Sequence, residues 1–521
     1  MDRREFIQVL AGGALAAGWN PTIDVASGSG QGGRSSGSSR PRRFGDGRDW
    51  FFEKRFGMFL HWGIYSIPAW HEQHQWRARV SRAEYVKLAG LWNPRKYDPD
   101  RWLDLMQDAG MKYVCITTKH HDGFCLWDTK ETSFNTMNTP CKRDIIGMLA
   151  DACHRRRVPL CLYYSIADWN HPNYPNQGRH HELAGPEPGD RPDWDKYLEF
   201  LKAQVRELCT HYGEIHGFWW DMNVPQHVNP SINAMIRQLQ PKAVINNRGF
   251  DEGDFGTPER DFDSGAAEAI GFDRPTEACQ SVGMESWGYR KDEDYYTDRH
   301  LIRSLDRYLA RDANYLLNVG PTAEGVIPKE AAAILKRIGR WYRAVEESLV
   351  NVEPASVLTS NRNVLLTRRD RTLYVHLNKD PIGDGVKLKP INVLPKSAVL
   401  LNDGRKIDFA VNLAPSDHSE QKAYLRLQML PTNEMANTVL VVKLEFDRSL
   451  DELVVPAHSG VTTDGPASEG TIVLAGVAQP KKAVMLAAGK ELPVNATGDK
   501  VTIKVPKEFR MDSVDVVEVT W

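Results

Sequence analysis

The sequence predicts an α/β chain: a (β/α)8-like barrel followed by an all-β, sandwich-like C-terminal region. Three observations carry this. Between Trp50 and Leu349, short apolar runs alternate with segments of helical periodicity, the pattern of β-α units around a parallel sheet. Polar and charged groups gather at the C-terminal ends of those runs, where barrel active sites lie. After Val350 helical periodicity stops and short alternating runs take over, among them NVLLTRRDRTLYVHLN, NTVLVVKLEFD and KVTIKVP.

In chain order, the first residues, MDRREFIQVLAGGALAAG, set Arg3-Arg4 ahead of a short apolar run that ends in small residues. Residues 1–22 therefore read as a twin-arginine export signal, which predicts a periplasmic or otherwise exported protein. The run from Phe6 to Ala17 is about a dozen residues, too short for stable membrane insertion. Residues 23–43 form a Gly/Ser/Arg tether with nothing to bury. Residues 44–349 carry the barrel. Its candidate strands are Gly57 to Trp62, Tyr113 to Lys119, Pro159 to Ser165, Ile215 to Asp221, Ala243 to Asn247, Glu277 to Ser281 and Asn314 to Val319. An eighth strand is missed or degenerate. Amphipathic helices are expected over Asp144 to Arg157, Asp195 to Tyr212, Ser231 to Leu239, Asp298 to Ala310 and Pro328 to Ser348. An open doubly wound sheet is the alternative, but no Gly-rich nucleotide loop follows the first strand. Residues 350–449 are assigned to a sandwich, and 450–521 to a smaller β unit or an extension of it.

The composition, 41% hydrophobic and 26% charged with a formal net charge of -2, gives no reason to expect a nucleic-acid partner or a polybasic membrane contact. The 15 Trp and 17 Tyr are more informative, because flat aromatic faces stack on the C–H faces of pyranose rings, although most must simply fill a core. Seven cysteines, odd in number and without a CxxC pair, point to buried free thiols.

In HGFWWDMN an aromatic run delivers Asp221 at the end of a strand. A carboxylate walled by two Trp is costly to stability and well suited to attack on a sugar carbon. A helix N-cap is the bland alternative. Glycoside hydrolysis also needs a protonated partner, for which Glu259, Glu277 and Glu285 are the candidates. Arg248 can donate a planar pair of hydrogen bonds to a hydroxyl or to a carboxylate. His61, His120 and His121 suit sugar hydroxyls, yet adjacent histidines in a regular strand point to opposite faces unless the chain turns, as Asp122-Gly123 suggests. Tyr164 and Trp76 are aromatic candidates for the same pocket, with core packing as the alternative. A divalent-metal hydrolase is disfavoured, since there is no His-x-His on the first strand and no HExxH, so neither metal nor cofactor is expected. A non-catalytic sugar-binding protein on an inactivated barrel is the third class.

The segments FGMFLHWGIYSIPAW, KHHDGFCLWDT, LYYSIADW, GFWWD, NNRG, DFGTPE and NYLLNVGPTAEGVIP together resemble the α-L-fucosidases of glycoside hydrolase family 29. The resemblance spans Trp50 to about Leu349, and the β region fits that family's C-terminal domain. It implies a retaining mechanism with a covalent fucosyl-enzyme, Asp221 as nucleophile and Glu259 as acid/base. It also implies a fucose pocket shaped by His61, Trp76, His120, His121, Tyr164 and Arg248, with Tyr163 adjacent and equally able to face inward. The implied partner is a fucosylated oligosaccharide or glycoconjugate; a related sugar such as a galactoside is the alternative. Three departures bear on recognition. Gln75-Trp76 stands where relatives often carry Glu-Trp, Thr276-Glu277-Ala278-Cys279 where they read Trp-Glu-Thr-Cys, and Asp312-Ala313 where they have Gly-Gly.

Overall fold

The computed structural model describes residues 43–260, 272, 274–453, 470–475, 482–485, 489–497, 500–506, 508 and 517–520. The twin-arginine-like segment and the tether up to residue 42 lie outside the described residues.

Seven parallel strands form the central sheet: β1 (Phe56–Leu60), β2 (Tyr113–Lys119), β3 (Leu160–Ser165), β4 (Gly217–Asp221), β5 (Val244–Ile245), β6 (Glu277–Ser281) and β7 (Asn314–Val319). They run in the order β5-β4-β3-β2-β1-β7-β6. Between the two edges, the chain from Phe255 to Glu259 bridges Asn246 on one side and Thr276 and Cys279 on the other. This irregular segment takes the place of the eighth strand. Its sequence, DFGTPE, carries Gly and Pro instead of an alternating run because it makes isolated bridges rather than a ladder. The consequence for the site is direct: Glu259 is carried to the C-terminal mouth.

Strands buried on both faces read as continuous apolar runs, and alternate residues divide between two clusters. Phe59, Tyr113, Cys115, Cys161, Tyr163, Trp219, Phe255 and Cys279 pack together inside the barrel. Met58, Val114, Leu162, Tyr164, Phe218 and Trp220 join the cluster that holds the helices against the outside. Those helices are Pro99–Asp108, Ile145–Arg156, Trp194–His211, Pro230–Leu239, Asp298–Leu309 and Lys329–Val345. The first is additional to those read from the sequence; it is short, begins with Pro99 and still buries Trp102, Leu103, Leu105 and Met106. Asp98, Asp144, Asp193 and Thr297 cap four of the helices through their side chains. Each such cap contributes about 1 kcal/mol. Among the described residues no helix is long and apolar enough to cross a membrane.

Beyond the barrel, an antiparallel five-stranded sheet and a three-stranded one enclose a core that includes Leu366, Leu373, Val375, Leu425, Leu427 and Val442. This sandwich is tied to the barrel by a buried contact in which His376 Nδ1 lies 2.6 Å from Asp306 Oδ1. Two further three-stranded sheets share a small core around Met485, Ile503, Val505 and Val517. All seven cysteines are buried and free.

Candidate active site

A cavity of about 290 Å³ opens at the C-terminal ends of the strands. Its inner walls are aromatic: Phe59, Tyr163, Trp219 and Trp287 line it, with Tyr163 stacked on Trp219 at 5.6 Å. Asp221 projects into it because inward positions of β4 fall at Gly217, Trp219 and Asp221, a period of two. Its Oδ2 accepts a hydrogen bond from the Tyr163 hydroxyl at 2.7 Å, and His121 Nε2 lies 3.9 Å from the same oxygen. Its Oδ1 accepts from Arg248 Nη1 at 3.3 Å and from the Met222 amide at 3.0 Å. Met222 itself sits at φ 61, a left-handed conformation that turns the chain sharply after the carboxylate. Burial by itself would raise the Asp221 pKa, but Arg248 and the Tyr163 hydroxyl outweigh it and hold the carboxyl below its ordinary range. The group is therefore ionised at neutral pH and chemically able to act as a nucleophile or a base.

Arg248 ties the site together. Besides Asp221, its Nη2 meets Glu259 Oε2 at 3.1 Å, its Nε donates to Thr257 Oγ1 at 2.8 Å, and its guanidinium lies 4.7 Å over the Trp219 ring. One planar cation thus holds two carboxylates, the enclosed Asp221 and the exposed Glu259 at the mouth.

The adjacent histidines both face the cavity. β2 ends at Lys119, and Gly123, at φ 78, closes a turn in which its amide donates to the His120 carbonyl at 3.1 Å. The two rings lie against each other, tilted by 34° with centroids 3.9 Å apart. Ser165 donates its hydroxyl to the Ala167 carbonyl at 2.7 Å, so its oxygen accepts from His121 Nδ1, also at 2.7 Å. That network leaves the lone pair on His121 Nε2, facing Asp221. Burial pushes the His121 pKa down to about 4 against the pull of Asp221, and burial drives His120 well below its ordinary value. Neutral imidazoles at neutral pH can donate to and accept from hydroxyls. His61 is fixed in the same manner: its Nδ1 lies 2.8 Å from Asn318 Oδ1, while Asn318 Nδ2 donates to Ser281 Oγ and the Trp287 carbonyl.

A sequence model of the family described as Alpha-L-fucosidase matches residues 42–347, more than half of the chain. The chain belongs to the α-L-fucosidase family. It is 27% identical over 378 residues to the tissue alpha-L-fucosidase of Mus musculus, covering 65% of this chain and 80% of that one. Among solved structures, alpha-L-fucosidase isoenzyme 1 from Paenibacillus thiaminolyticus superposes with a TM-score of 0.69 at 34% identity, over 77% of this chain and 100% of that one. A family 29 α-L-fucosidase from Bacteroides thetaiotaomicron, described as a trapped covalent intermediate with 2-fluoro-fucosyl fluoride, superposes with a TM-score of 0.65 at 25% identity, over 78% and 98% of the two chains.

Within this family architecture, six of the eight expected site residues meet in the cavity: His61, His120, His121, Asp221, Arg248 and Glu259. Tyr164 and Trp76 do not. Tyr164 points outward, its hydroxyl donating to Gln204 at 2.7 Å and its ring lying 4.5 Å from the Lys119 ammonium. Its neighbour Tyr163 is the inward tyrosine, because Tyr163 pairs with Trp219, and Ser165 with Asp221, across β3 and β4. Trp76 lies in the short helix His74–Arg77, half-buried against His181 at 4.8 Å. In the same helix the buried Gln75 amide makes no hydrogen bond among the described residues.

The cavity instead draws a carboxylate from Glu72, which the sequence reading missed. Glu72 Oε2 accepts from Ser286 Oγ at 2.8 Å and from the amides of Trp287 and Gly288 at 2.9 and 3.1 Å. Burial would raise its pKa, but His71, His61 and the Gly288 amide bring it below its ordinary value. The expected loss of an acidic acceptor at Gln75 is thus corrected: Glu72 of the same HEQHQW segment lines the cavity, with Gln73 beside it. The other two departures lie at the far end of the barrel. Thr276 precedes β6, and Asp312-Ala313 precede β7, where Asp312 Oδ1 pairs with Arg55 Nη1 at 3.2 Å.

Glu277 and Glu285, the alternatives to Glu259, stand outside the cavity lining. Glu277 is sealed beneath Trp219, whose indole N–H donates to it at 3.1 Å, and it also accepts from the Tyr113 hydroxyl. Burial there pushes its pKa up to about 7. Glu285 is exposed on the loop after β6. Among the described residues no cluster of three or more His, Cys, Asp or Glu is arranged to hold a metal ion.

The two tyrosines yield a paired prediction. Tyr163→Phe removes a hydrogen bond to the ionised Asp221, so its pKa rises, the acid limb of kcat/KM moves to higher pH, and kcat falls roughly tenfold. Tyr164→Phe loses only a bond to Gln204, at a stability cost of about 1 kcal/mol with kcat unchanged. pH-rate profiles and thermal melts of both variants check this; the opposite pattern would return Tyr164 to the pocket.

Proposed function

We propose that the protein is an exo-acting retaining α-L-fucosidase in which Asp221 attacks the anomeric carbon and Glu259 serves first as acid and then as base. The observation that carries this is the shared guanidinium: Arg248 holds an enclosed, ionised carboxylate and a second one at the mouth. Asp221 forms a bond to the anomeric carbon as the glycosidic C–O bond breaks, and Glu259 gives its proton to the departing oxygen. Glu259 then takes a proton from water as that water attacks the same carbon and releases Asp221. Two inversions give net retention. The aromatic floor of Phe59 and Trp219 closes the cavity below, which supports removal of a terminal sugar rather than cleavage within a chain. His61, His120, His121, Tyr163 and Glu72 supply donors and acceptors for its hydroxyls.

The substrate is a terminal α-L-fucoside of an oligosaccharide or glycoconjugate. The twin-arginine pattern of residues 1–22 supports a periplasmic or otherwise exported location, and a chain whose seven cysteines are buried and free has no disulfide to form after export. The direct test offers the purified protein 4-nitrophenyl α-L-fucoside beside other aryl glycosides and follows the first-formed sugar by NMR. Release of α-L-fucose before its β anomer is expected. A first-formed β anomer would overturn retention, preference for a galactoside would overturn the sugar, and inertness toward every glycoside would leave a binding protein.

A further inference from the structure

We infer that the buried ion pair of Lys119 and Asp168 holds His121 in the one tautomer that leaves the Asp221 carboxylate free to attack. Both are positioning residues: neither lines the cavity, and they act through His121. The inference rests on the catalytic roles proposed above.

The local chain geometry places the pair. In β2 a period of two carries Tyr113 and Cys115 inside the barrel and would carry Lys119 there too. The pairing of β2 with β3 shifts its register between Thr117 and Lys119, so Lys119 comes to lie beside the outward Tyr164. An irregularity of this kind re-aims a side chain next to a site. Lys119 is wholly buried, its Nζ 2.8 Å from Asp168 Oδ2 and 3.2 Å from the Tyr197 hydroxyl, which itself donates to the Ile166 carbonyl at 2.6 Å. Asp168 is buried as well, and its Oδ1 accepts from the amides of Asn170 at 3.0 Å and His171 at 2.9 Å. Burial would raise the Asp168 pKa, but Lys119 brings it below its ordinary value. Gly123, which closes the histidine turn, has no room for a side chain, because a Cβ there would collide with Asp168 Oδ1.

Asp168 stands between the two groups that grip His121. On one side Ser165 Oγ, which donates to the Ala167 carbonyl, accepts from His121 Nδ1. On the other the Trp169 amide donates to the His121 carbonyl at 2.7 Å. Lys119 precedes His121 by two residues, so the ion pair ties the chain that carries the ring to the chain that orients it. A buried pair is a weak source of stability beside packed apolar groups, and its value here is directional.

The tautomer matters because His121 Nε2 lies 3.9 Å from Asp221 Oδ2. With the proton on Nδ1, Nε2 presents a lone pair that can accept from a sugar hydroxyl and leaves Asp221 unencumbered. With the proton on Nε2, the ring would donate to Asp221 and weaken it as a nucleophile. Of the other ionisable groups, Tyr163 and Arg248 donate to Asp221, while His61, Glu72, His120, His181 and Glu259 line the cavity around it.

The test measures kcat/KM for 4-nitrophenyl α-L-fucoside against pH, together with Tm, in the full-length protein and in Asp168→Asn, Lys119→Met, the double variant of both, and Ser165→Ala. Each single change in the pair leaves one buried charge unmatched, so Tm falls in both and recovers in the double variant. In the double variant kcat/KM is expected to stay at least about tenfold below wild type. Its acid limb should move to lower pH, because an N–H donated to Asp221 favours the carboxylate. Ser165→Ala cuts the link to Nδ1 without touching the pair and should shift the acid limb the same way. A double variant with the wild-type rate and pH profile would reduce the pair to a structural role and overturn the inference, as would an unshifted profile in Ser165→Ala. Nitrogen-15 NMR of the histidine-labelled wild type, with His121→Gln to assign the signal, reads the tautomer without turnover. A proton on Nδ1 is expected, and one on Nε2 would overturn the inference. A wild type that shows the Nδ1 tautomer but is inert on every α-L-fucoside would sink the catalytic reading instead.

Discussion

Asp221→Gly is expected to lower kcat on aryl α-L-fucosides by at least about a thousandfold, and added azide is expected to restore part of the rate. The substitution removes the only atoms that can form the covalent intermediate and leaves a space at the floor of the pocket. A small anion entering that space attacks the anomeric carbon from the face Asp221 used, so the rescued product is the β-fucosyl azide, of inverted configuration. This outcome separates a nucleophile from a carboxylate that merely orders the pocket. Loss of Asp221 also strips Tyr163 and Arg248 of an acceptor. Unsatisfied buried donors cost about 1–3 kcal/mol, which lowers Tm without unfolding a chain of this size. Kinetics with and without azide, with NMR of the product, make the check. A variant that retains more than a tenth of wild-type kcat, or that yields no azide adduct, would remove Asp221 from the chemistry.

Much of this site was legible because barrel strands deliver residues in a fixed order. All seven strand runs predicted a strand to within two residues at each end; Asp221 ends one of them, and His120, His121 and Arg248 follow strand ends that the apolar pattern marks plainly. What the sequence left open was parity and distance. Tyr163 and Tyr164 are equally apolar in pattern, and only the pairing of Tyr163 with Trp219 fixes which faces inward. Glu72 was missed because its importance comes from Ser286, Trp287 and Gly288, more than 200 residues away. Its signal was the one acidic residue of HEQHQW, three residues before the Gln75-Trp76 pair that drew attention. The eighth strand was missed because Phe255 to Glu259 closes the ring by isolated bridges, and a segment with no ladder leaves no alternating pattern to read. Thr276 and Asp312 misled for the converse reason: they neighbour site-bearing strands in sequence but occupy the opposite ends of them.

Glu259→Ala should separate substrates by the quality of their leaving group. With a fucosylated oligosaccharide the departing alkoxide needs a proton, and loss of the general acid is expected to lower kcat/KM by about 10²–10⁴-fold. With 4-nitrophenol the departing anion is already stable, so the first step is expected to slow by less than about tenfold while breakdown of the intermediate, which needs a base for water, becomes limiting. Burst kinetics on the aryl substrate would show that intermediate accumulating. The structure gives a reason to expect this split at Glu259 alone. Its backbone is pinned to β6, with the Arg260 amide donating to the Cys279 carbonyl at 2.8 Å, while its side chain is exposed at the mouth and can approach the oxygen that departs. Glu277 lies beneath the Trp219 ring, so Glu277→Gln should change both substrates alike, through the seating of Trp219 under Arg248. Equal losses in Glu259→Ala, or a leaving-group split in Glu277→Gln, would move the acid from the mouth of the barrel to its interior and require Trp219 to shift during turnover.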